Sequence, residues 1–435
     1  MSLSTPRNIS IITLGCSKNT VDSEILMRQL DVNGLRIVDD PNDADTVIIN
    51  TCGFIDAAKE ESVNTILEAS ELRKDGRIQR LYVAGCLSER YRAELETELP
   101  EVDKFFGVTD FGAILETLGG SLKRELLGER HLSTPSHTAY LKISEGCDRP
   151  CSFCSIPLMR GAHASKRVEE IVHEAKFLRT LGTKELVLIA QDTTSYGLDL
   201  YGERRLPALL NELADMDGLE WIRLMYAYPS HFPLETLDLL RERERLCRYI
   251  DIPIQHIDDA VLKSMRRGIT RRATEELLDT IRKRVPGIAI RTTLIVGYPN
   301  ETDAAFETLY EFVKQTEFDR LGVFLFSQEE NTTSWILGDP VPQAVKEERR
   351  DAIMELQSDI SQKKNEARID SVMRVLLDRV EGEFAIGRTE FDAPEVDNEV
   401  LIPCSQFNGA VPVGTFVDAR ITDASEYDLV ATLER

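Results

Sequence analysis

The sequence predicts an α/β chain in three parts: an amino-terminal, Rossmann-like parallel sheet (residues 1–122), six further βα units (137–366) and a small β-barrel (370–435). Three observations predict it. Short β-rich runs alternate with helical stretches from residue 8 onward, the pattern of a parallel sheet. Near residue 370 the texture changes to short β-rich runs separated by Gly, Pro, Asp and Asn, the pattern of a small barrel. Finally, 435 residues exceed what one core usually supports, so two or three domains are expected.

In the first part, Asn8–Leu14, Thr46–Thr51 and Leu81–Ala84 read as strands, each followed by a helix, ending near Leu30, Ser70 and Leu99. Cys16, Cys52 and Cys86 each stand just past a strand and beside a glycine, at the same place in three successive units. Neighbouring strands lie about 4.8 Å apart, so strand ends cluster on one edge of a parallel sheet, where ligands bind. Three thiols would then converge from separate loops as a metal or cluster site. The alternative is three inert core cysteines.

Residues 119–136, with Gly119-Gly120, Gly128 and Pro135 amid charged residues, read as a linker. The strand Tyr140–Ser144 then delivers Cys147, Cys151 and Cys154, spaced C-x3-C-x2-C within eight residues. Thiolates are soft ligands that favour iron–sulfur clusters, zinc or copper(I). Zinc asks for an even pair or for distant ligands, and ferredoxin clusters take four thiolates. Three in one loop point to a four-iron cluster with one iron open to a substrate or cofactor. The competing readings are a zinc site or three incidental cysteines.

Five more strands are expected at Glu185–Ala190, Trp221–Tyr226, Tyr249–Ile254, Ile288–Val296 and Leu321–Phe326. With the first they make six βα units, too few for a closed eight-stranded barrel. Gln191-Asp192, Gln255-His256 and Gly297-Tyr298-Pro299 follow three of these strands. Polar and glycine residues are common at any strand end. Val345–Ile369 is a charge-dense helix with Ile353, Leu356 and Ile360 at helical spacing, expected to pack back on the barrel. Val372–Val380 and Val413–Ile421 are strands of the last part. Cys247 and Cys404 stand alone and read as structural, and His163 and His173 as surface or packing residues.

Composition narrows the function. Hydrophobic residues at 42% and charged residues at 29% are ordinary for a globular protein. The 52 Lys and Arg against 75 Asp and Glu leave a net charge of −23, which repels nucleic acid at long range and attracts basic partners. Eight cysteines are too sparse for a disulfide scaffold. Met1–Ser10 lacks the pattern of a signal peptide, and no apolar run approaches the roughly 20 residues of a membrane span. The expectation is a cytoplasmic protein with no membrane partner, its thiols free to bind iron.

The C-x3-C-x2-C loop resembles the signature of the radical S-adenosylmethionine (SAM) enzymes. That resemblance implies an open, partial (βα)6 barrel, with the open iron chelating SAM and an electron from the cluster releasing a 5'-deoxyadenosyl radical. Leu14-Gly15-Cys16-Ser17-Lys18-Asn19-Thr20-Val21-Asp22-Ser23-Glu24 and Asn50-Thr51-Cys52-Gly53-Phe54-Ile55 are similar to the amino-terminal domain of the methylthiotransferase branch. It implies a second four-iron cluster on Cys16, Cys52 and Cys86, beside the SAM-binding one on Cys147, Cys151 and Cys154. The last part resembles the TRAM domain. By resemblance Gln191, Asp192, Gln255 and Gly297 would approach SAM, Gly297 leaving room for an adenine. Arg160-Gly161 matches a family word, but its chemical role does not follow, and no catalytic residue is assigned. Two departures are visible: Ser17 where Pro is usual, and Asn300 where Gly is usual, Asn tolerating positive φ.

Of the two methylthiotransferase branches, one modifies tRNA adenosine and the other an aspartate β-carbon of small-subunit ribosomal protein S-twelve. A tRNA binder should present basic surface. From Asp370 onward stand fourteen acids against five arginines and no lysine, which suits a basic ribosomal protein, although solubility alone could explain it. Asp392-Ala393-Pro394-Glu395-Val396-Asp397 and Gln191-Asp192-Thr193-Thr194-Ser195-Tyr196-Gly197 resemble the ribosomal-protein branch. That branch is the expectation, with an external electron donor and a sulfur source as further partners and tRNA disfavoured. The alternatives are a tRNA methylthiotransferase, which needs a local basic groove, and a non-catalytic iron–sulfur or metal-binding protein, which needs no open iron and would not cleave SAM.

Overall fold

A computed structural model describes residues 8–126 and 128–434, so Met1–Arg7 of the stretch read for a leader, and Arg435 of the terminal charge count, lie outside the described residues. The chain divides into two compact units. One is Met1–Ser133 with Tyr140–Asp148 and Cys154–Leu178; the other is Thr134–Ala139 with Arg149–Phe153 and Arg179–Arg435.

In the first unit, β1 (Asn8–Thr13), β2 (Arg36–Ile37), β3 (Thr46–Thr51), β4 (Arg80–Gly85) and β5 (Lys104–Phe105) form an all-parallel sheet ordered β2-β1-β3-β4-β5. Side chains alternate along each strand. Val47, Ile49, Leu81 and Val83 pack on the helix Asp56–Lys74, while Ile9, Ile48 and Tyr82 pack with Leu26 and Leu30 of the helix Ser17–Val32. The two-residue strand β2, too short to signal itself in the sequence, takes an edge position. This leaves β1, β3 and β4, the three strands that lead to cysteines, side by side.

The expected linker is not a free segment. Arg28 pairs with Glu129 at 2.7 Å, and Glu24 accepts from Ser133 N and Oγ at 2.9 and 3.0 Å. Arg130 is fully buried between Glu24 and Glu174, and donates to the Tyr140 carbonyl at 2.5 Å. The charges that made the stretch look like linker are the ones that lay it along the first helix.

The six expected strands of the central part are all present. β6 (Thr138–Lys142) is followed by an antiparallel ribbon of β7 (Ser144–Glu145) and β8 (Ala164–Ser165). Then come β9 (Glu185–Ile189), β10 (Trp221–Leu224), β11 (Leu246–Asp251), β12 (Ala289–Val296) and β13 (Arg320–Leu325). The sheet runs β13-β12-β11-β10-β9-β6, in chain order and unclosed. The helix Gln343–Glu366 packs back on it as expected, with Ile353 and Ile360 buried and Gln357 donating to the Phe318 carbonyl at 3.0 Å.

The last five strands, β14 (Val372–Glu381), β15 (Phe384–Arg388), β16 (Glu399–Pro403), β17 (Phe416–Ala424) and β18 (Asp428–Leu433), close into a barrel ordered β14-β15-β16-β18-β17. Alternate residues such as Val375, Leu377, Val400, Ile402, Ile421 and Leu429 fill it. Ion pairs seat it on the six-stranded sheet. Glu185 at the start of β9 binds Arg223 at 2.9 Å and Arg388 at 2.8 Å; Arg388 also binds Asp378 at 2.7 Å, and Asp378 meets His137 Nε2 at 3.0 Å. Arg320 donates to Asp392 at 3.0 Å and Tyr249 to Asp397 at 2.7 Å. The acid excess of the last part is therefore partly internal: Asp392 is 1% exposed and neutralised by Arg320, while Glu395 in the same word is exposed. Among the described residues, no helix is long and apolar enough to cross a membrane.

Candidate functional site

The three amino-terminal cysteines follow the ends of β1, β3 and β4, three adjacent strands. Those strands stop nearly flush, with Thr13 opposite Asn50 and Thr51 opposite Gly85. Gly15, at φ +88°, lies so close to the second loop that a Cβ there would stand 2.9 Å from Cys52 Sγ. A Cβ on Gly53 would stand 3.1 Å from the Cys86 carbonyl carbon. The glycines beside the cysteines are thus what lets the loops nest. Cys16 caps the helix Ser17–Val32 and Cys86 opens the helix Cys86–Glu98, so both meet the positive end of a helix dipole.

Cys16 is exposed while Cys52 and Cys86 are buried. Burial pushes the Cys52 thiol up, and pushes Cys86 up to about 12 against the pull of Arg160. Metal binding to such thiols must release protons. Among the described residues no three His, Cys, Asp or Glu side chains close on a point for one metal ion. A four-iron cluster does not require that, since its thiolates bind different irons.

Asn19, fully buried, ties these loops together and carried no signal of its own in the sequence. Its Nδ2 donates to the carbonyls of Leu14 at 2.8 Å and Thr51 at 3.1 Å, and its carbonyl accepts from Asn50 Nδ2 at 3.0 Å. Its Oδ1 lies 3.9 Å from Cys86 Sγ.

Cys147, Cys151 and Cys154 are half-buried, on the loop between β7 and the helix Ile156–Arg160. Residues 149–153 are seated within the second unit. Ser152 N donates to the Met265 carbonyl at 3.0 Å, its Oγ meets the Tyr298 hydroxyl at 2.9 Å, and Phe153 packs on Val261 and Phe326. Arg267 Nη1 donates to Cys151 Sγ at 3.3 Å, and the Tyr228 hydroxyl lies 3.5 Å from it. The Tyr228 ring is sandwiched by Arg149 at 4.0 Å and Arg267 at 4.2 Å. The Tyr228 hydroxyl donates to the Arg267 carbonyl at 2.7 Å, so the cation is the donor aimed at this sulfur, which fits a thiolate ligand of a cluster.

The strand-end residues separate into different roles. Asp192 is buried and committed within the chain, accepting from Arg149 at 2.7 Å, Thr194 Oγ1 at 2.6 Å and Ser195 at 2.7 Å. Burial alone would raise its carboxyl, but these partners hold it below the usual range. It therefore orients Arg149 over Tyr228. Gln255 sits at φ +72°, its backbone locked to Thr293 and Ile295 at 2.9 and 2.8 Å, and its Oε1 is buried without a hydrogen-bond partner among the described residues. That orphaned acceptor fits a donor on a bound ligand. Gln191 follows β9 beside Asp192.

Gly297, at φ +76°, adjoins Lys346, whose Cγ would lie 2.3 Å from an added Cβ, so its missing side chain makes room for this lysine. Asn300 is not at positive φ; the turn is fixed by Glu301, which accepts from Gly297 N at 2.9 Å and pairs with Arg349 at 2.8 Å. His256 is buried 3.5 Å from Glu301. His163 is buried against Ser165, and His173 lies on the surface.

Comparisons with known proteins follow this division. Residues 8–107 match the uncharacterized protein family UPF0004, 141–313 the radical SAM superfamily and 369–433 the TRAM domain. The ribosomal protein uS12 methylthiotransferase RimO of Flavobacterium johnsoniae is 54% identical, covering 97% of each chain. That of Chloroherpeton thalassium is 53% identical over 97% of this chain and 98% of its own, and that of Bacteroides thetaiotaomicron 50% identical over 98% of each. Among solved structures, the radical SAM methyltransferase TsrM of Kitasatospora setae superposes with a TM-score of 0.56 at 16% identity, covering 73% of this chain and 72% of that one. This last likeness is one of fold.

Proposed function

From the premise that this chain belongs to the RimO family of ribosomal protein uS12 methylthiotransferases, we propose that it adds a methylthio group to an aspartate β-carbon of uS12. It is a radical SAM enzyme using SAM and a four-iron, four-sulfur cluster. The observation that supports the finer reading is the placement of Cys16, Cys52 and Cys86 just past three adjacent strands, with the Gly15 and Gly53 loops nested against Cys52 and Cys86.

Cys147, Cys151 and Cys154 would hold the SAM-binding cluster; Cys16, Cys52 and Cys86 would hold another that carries the sulfur. When bound, the first supplies the electron that splits SAM, and the second an open iron for sulfur. The chain's own residues prepare these sites. Arg267 directs an N–H at Cys151, Tyr228 packs beside it with its hydroxyl held by the Arg267 carbonyl, Asp192 aims Arg149 across the same ring, and Gln255 presents an unpaired oxygen toward a ligand. Gln191 would join it at the mouth of the strands. An external reductant and a sulfur source complete the reaction, which belongs in a reducing cytoplasm. The three modules are 1–122, 137–366 and 370–435; the three matched families support that division.

The experiment is mass spectrometry of uS12 from cells with and without the protein, paired with iron analysis of oxygen-free, reconstituted enzyme. The methylthio mass should appear on one uS12 aspartate only when the protein is present, and the parent should hold roughly eight irons. Cys151→Ala should lose about half of them and stop SAM cleavage. Triple replacement of Cys16, Cys52 and Cys86 by Ala should lose about half while SAM cleavage persists. Unchanged iron in the triple variant, or a methylthio mass on tRNA instead of uS12, overturns the reading.

A further inference from the structure

Four charged groups in the first unit, three of them buried and Glu145 half-buried, have no part in the chemistry above. Asp22 lies on the helix that starts beside Cys16, Lys142 on β6, Glu145 two residues before Cys147, and Arg160 six residues after Cys154. Lys142 donates to Asp22 and, at 2.6 Å, to Glu145. Arg160 donates to the same two carboxylates, at 3.0 Å to Asp22 and 2.8 Å to Glu145. Two cations therefore share two carboxylates and the group is neutral. Three of its side chains are nearly dry, with Lys142 7%, Asp22 6% and Arg160 2% exposed, while Glu145 is 21% exposed.

The group is joined to the first cysteine set. Arg160 Nη2 donates at 2.5 Å to Asn19 Oδ1, and Asn19 holds the Cys16 and Cys52 loops. Ile156 and Met159, from the same short helix as Arg160, pack on Cys86 and Val108. Both flanks of the radical SAM loop, Tyr140–Asp148 and Cys154–Leu178, accordingly belong to the compact unit that carries the first set.

Buried ion pairs add little stability over apolar packing, and their best-attested use is fixing a register. We infer that Asp22, Lys142, Glu145 and Arg160, acting with Asn19, form a clasp that fixes Cys147 and Cys154, within the first unit, relative to Cys16, Cys52 and Cys86. This rests on the two-cluster reading. The clasp residues are positioning residues and touch no reactant. Their effect is on alignment, where an error of about 1 Å costs roughly 100-fold in rate.

The test uses full-length, reconstituted protein as the parent, Asp22→Asn, Arg160→Lys and the double variant Asp22→Asn/Lys142→Met. The double variant removes one charge of each sign and leaves the Arg160–Glu145 pair. Three quantities are read: iron per chain, the mutual broadening of the two reduced clusters in electron paramagnetic resonance, and SAM cleaved per methylthio group formed. The parent should show broadening. The double variant and Arg160→Lys should keep their iron and SAM cleavage, change the broadening, and form roughly 100-fold less product.

A parent with about four irons overturns the two-cluster reading and the clasp with it. A parent with about eight irons but no broadening overturns the clasp alone. So does a folded double variant with the parent's broadening and yield. Loss of folding in both the double variant and Arg160→Lys also counts against it, because the group would then be a stability device.

Discussion

Arg320 is buried where the terminal barrel meets the sheet, and Asp392 neutralises it with help from Thr389. Replacing Asp392 by Asn removes the strongest counter-charge of a buried guanidinium and leaves it only Asp397 and Asp319, which costs up to about 3–5 kcal/mol. Urea unfolding of Asp392→Asn should show that loss, whereas Glu395→Lys at the exposed turn should stay within about 0.5 kcal/mol of the parent. The Cys151 sulfur offers a second test. Its Arg267 donor stabilises the more negative, reduced form of a cluster bound there, so Arg267→Met should lower the midpoint potential. A fall of roughly 60 mV corresponds to a tenfold change in a one-electron equilibrium, measurable by redox titration. What the sequence conveyed at this scale was chemistry without burial. The six cysteines stood out because thiol spacing is local, or because each followed a strand. Asp392 looked like surface because Arg320 is 72 positions away, and the partner of Asp378, His137, is 241 away. Asn19 and Tyr228 were unreadable for the same reason: their role lies in what meets them.

Elements were more legible than contacts. All six central strands were predictable from apolar runs, because a parallel strand buried on both faces announces itself by composition. The two-residue β2 was not, and neither was the pairing order within the expected terminal barrel, since pairing partners leave no mark on a single strand. The seating of that barrel through Glu185, Arg388, Asp378 and His137 has a pH consequence. Burial would raise both carboxyls, yet Arg388 with Arg223 holds Glu185 below its ordinary value, and His137 with Arg388 does so for Asp378. A depressed carboxylate stabilises the fold above its unfolded pKa, and that contribution disappears as pH falls through the lower, folded value. The stabilisation that these two carboxylates contribute to the seating should therefore be lost below about pH 4. Trp221 reports it directly, its ring standing edge-on to Phe416 of the barrel at 4.8 Å. In a Trp335→Phe background, Trp221 fluorescence should change on acidification below about pH 4. A change already complete at pH 6 would assign the seating to other groups.

At the scale of the whole molecule the dominant fact is charge. A net −23 produces a field that no single contact accounts for, and the ion pairs that seat the terminal barrel consume only part of it. Glu383 and Glu426 remain exposed on that barrel. Toward a basic ribosomal protein this field should act on encounter more than on the lifetime of the complex, because long-range attraction raises the association rate while rim charges contribute little to holding. The screening length falls from about 10 Å at 0.1 M salt to about 3 Å at 1 M, so attraction from exposed acids fades over that range. Stopped-flow association with purified uS12 should slow by about an order of magnitude as salt rises from about 0.05 to 0.5 M, with dissociation nearly unchanged. Glu383→Lys combined with Glu426→Lys should slow association at low salt and converge with the parent at high salt. Convergence is the discriminating feature, since a lost contact would persist there as faster dissociation. An association rate independent of salt in the parent would mean that the acids serve solubility alone and that uS12 is recognised by shape.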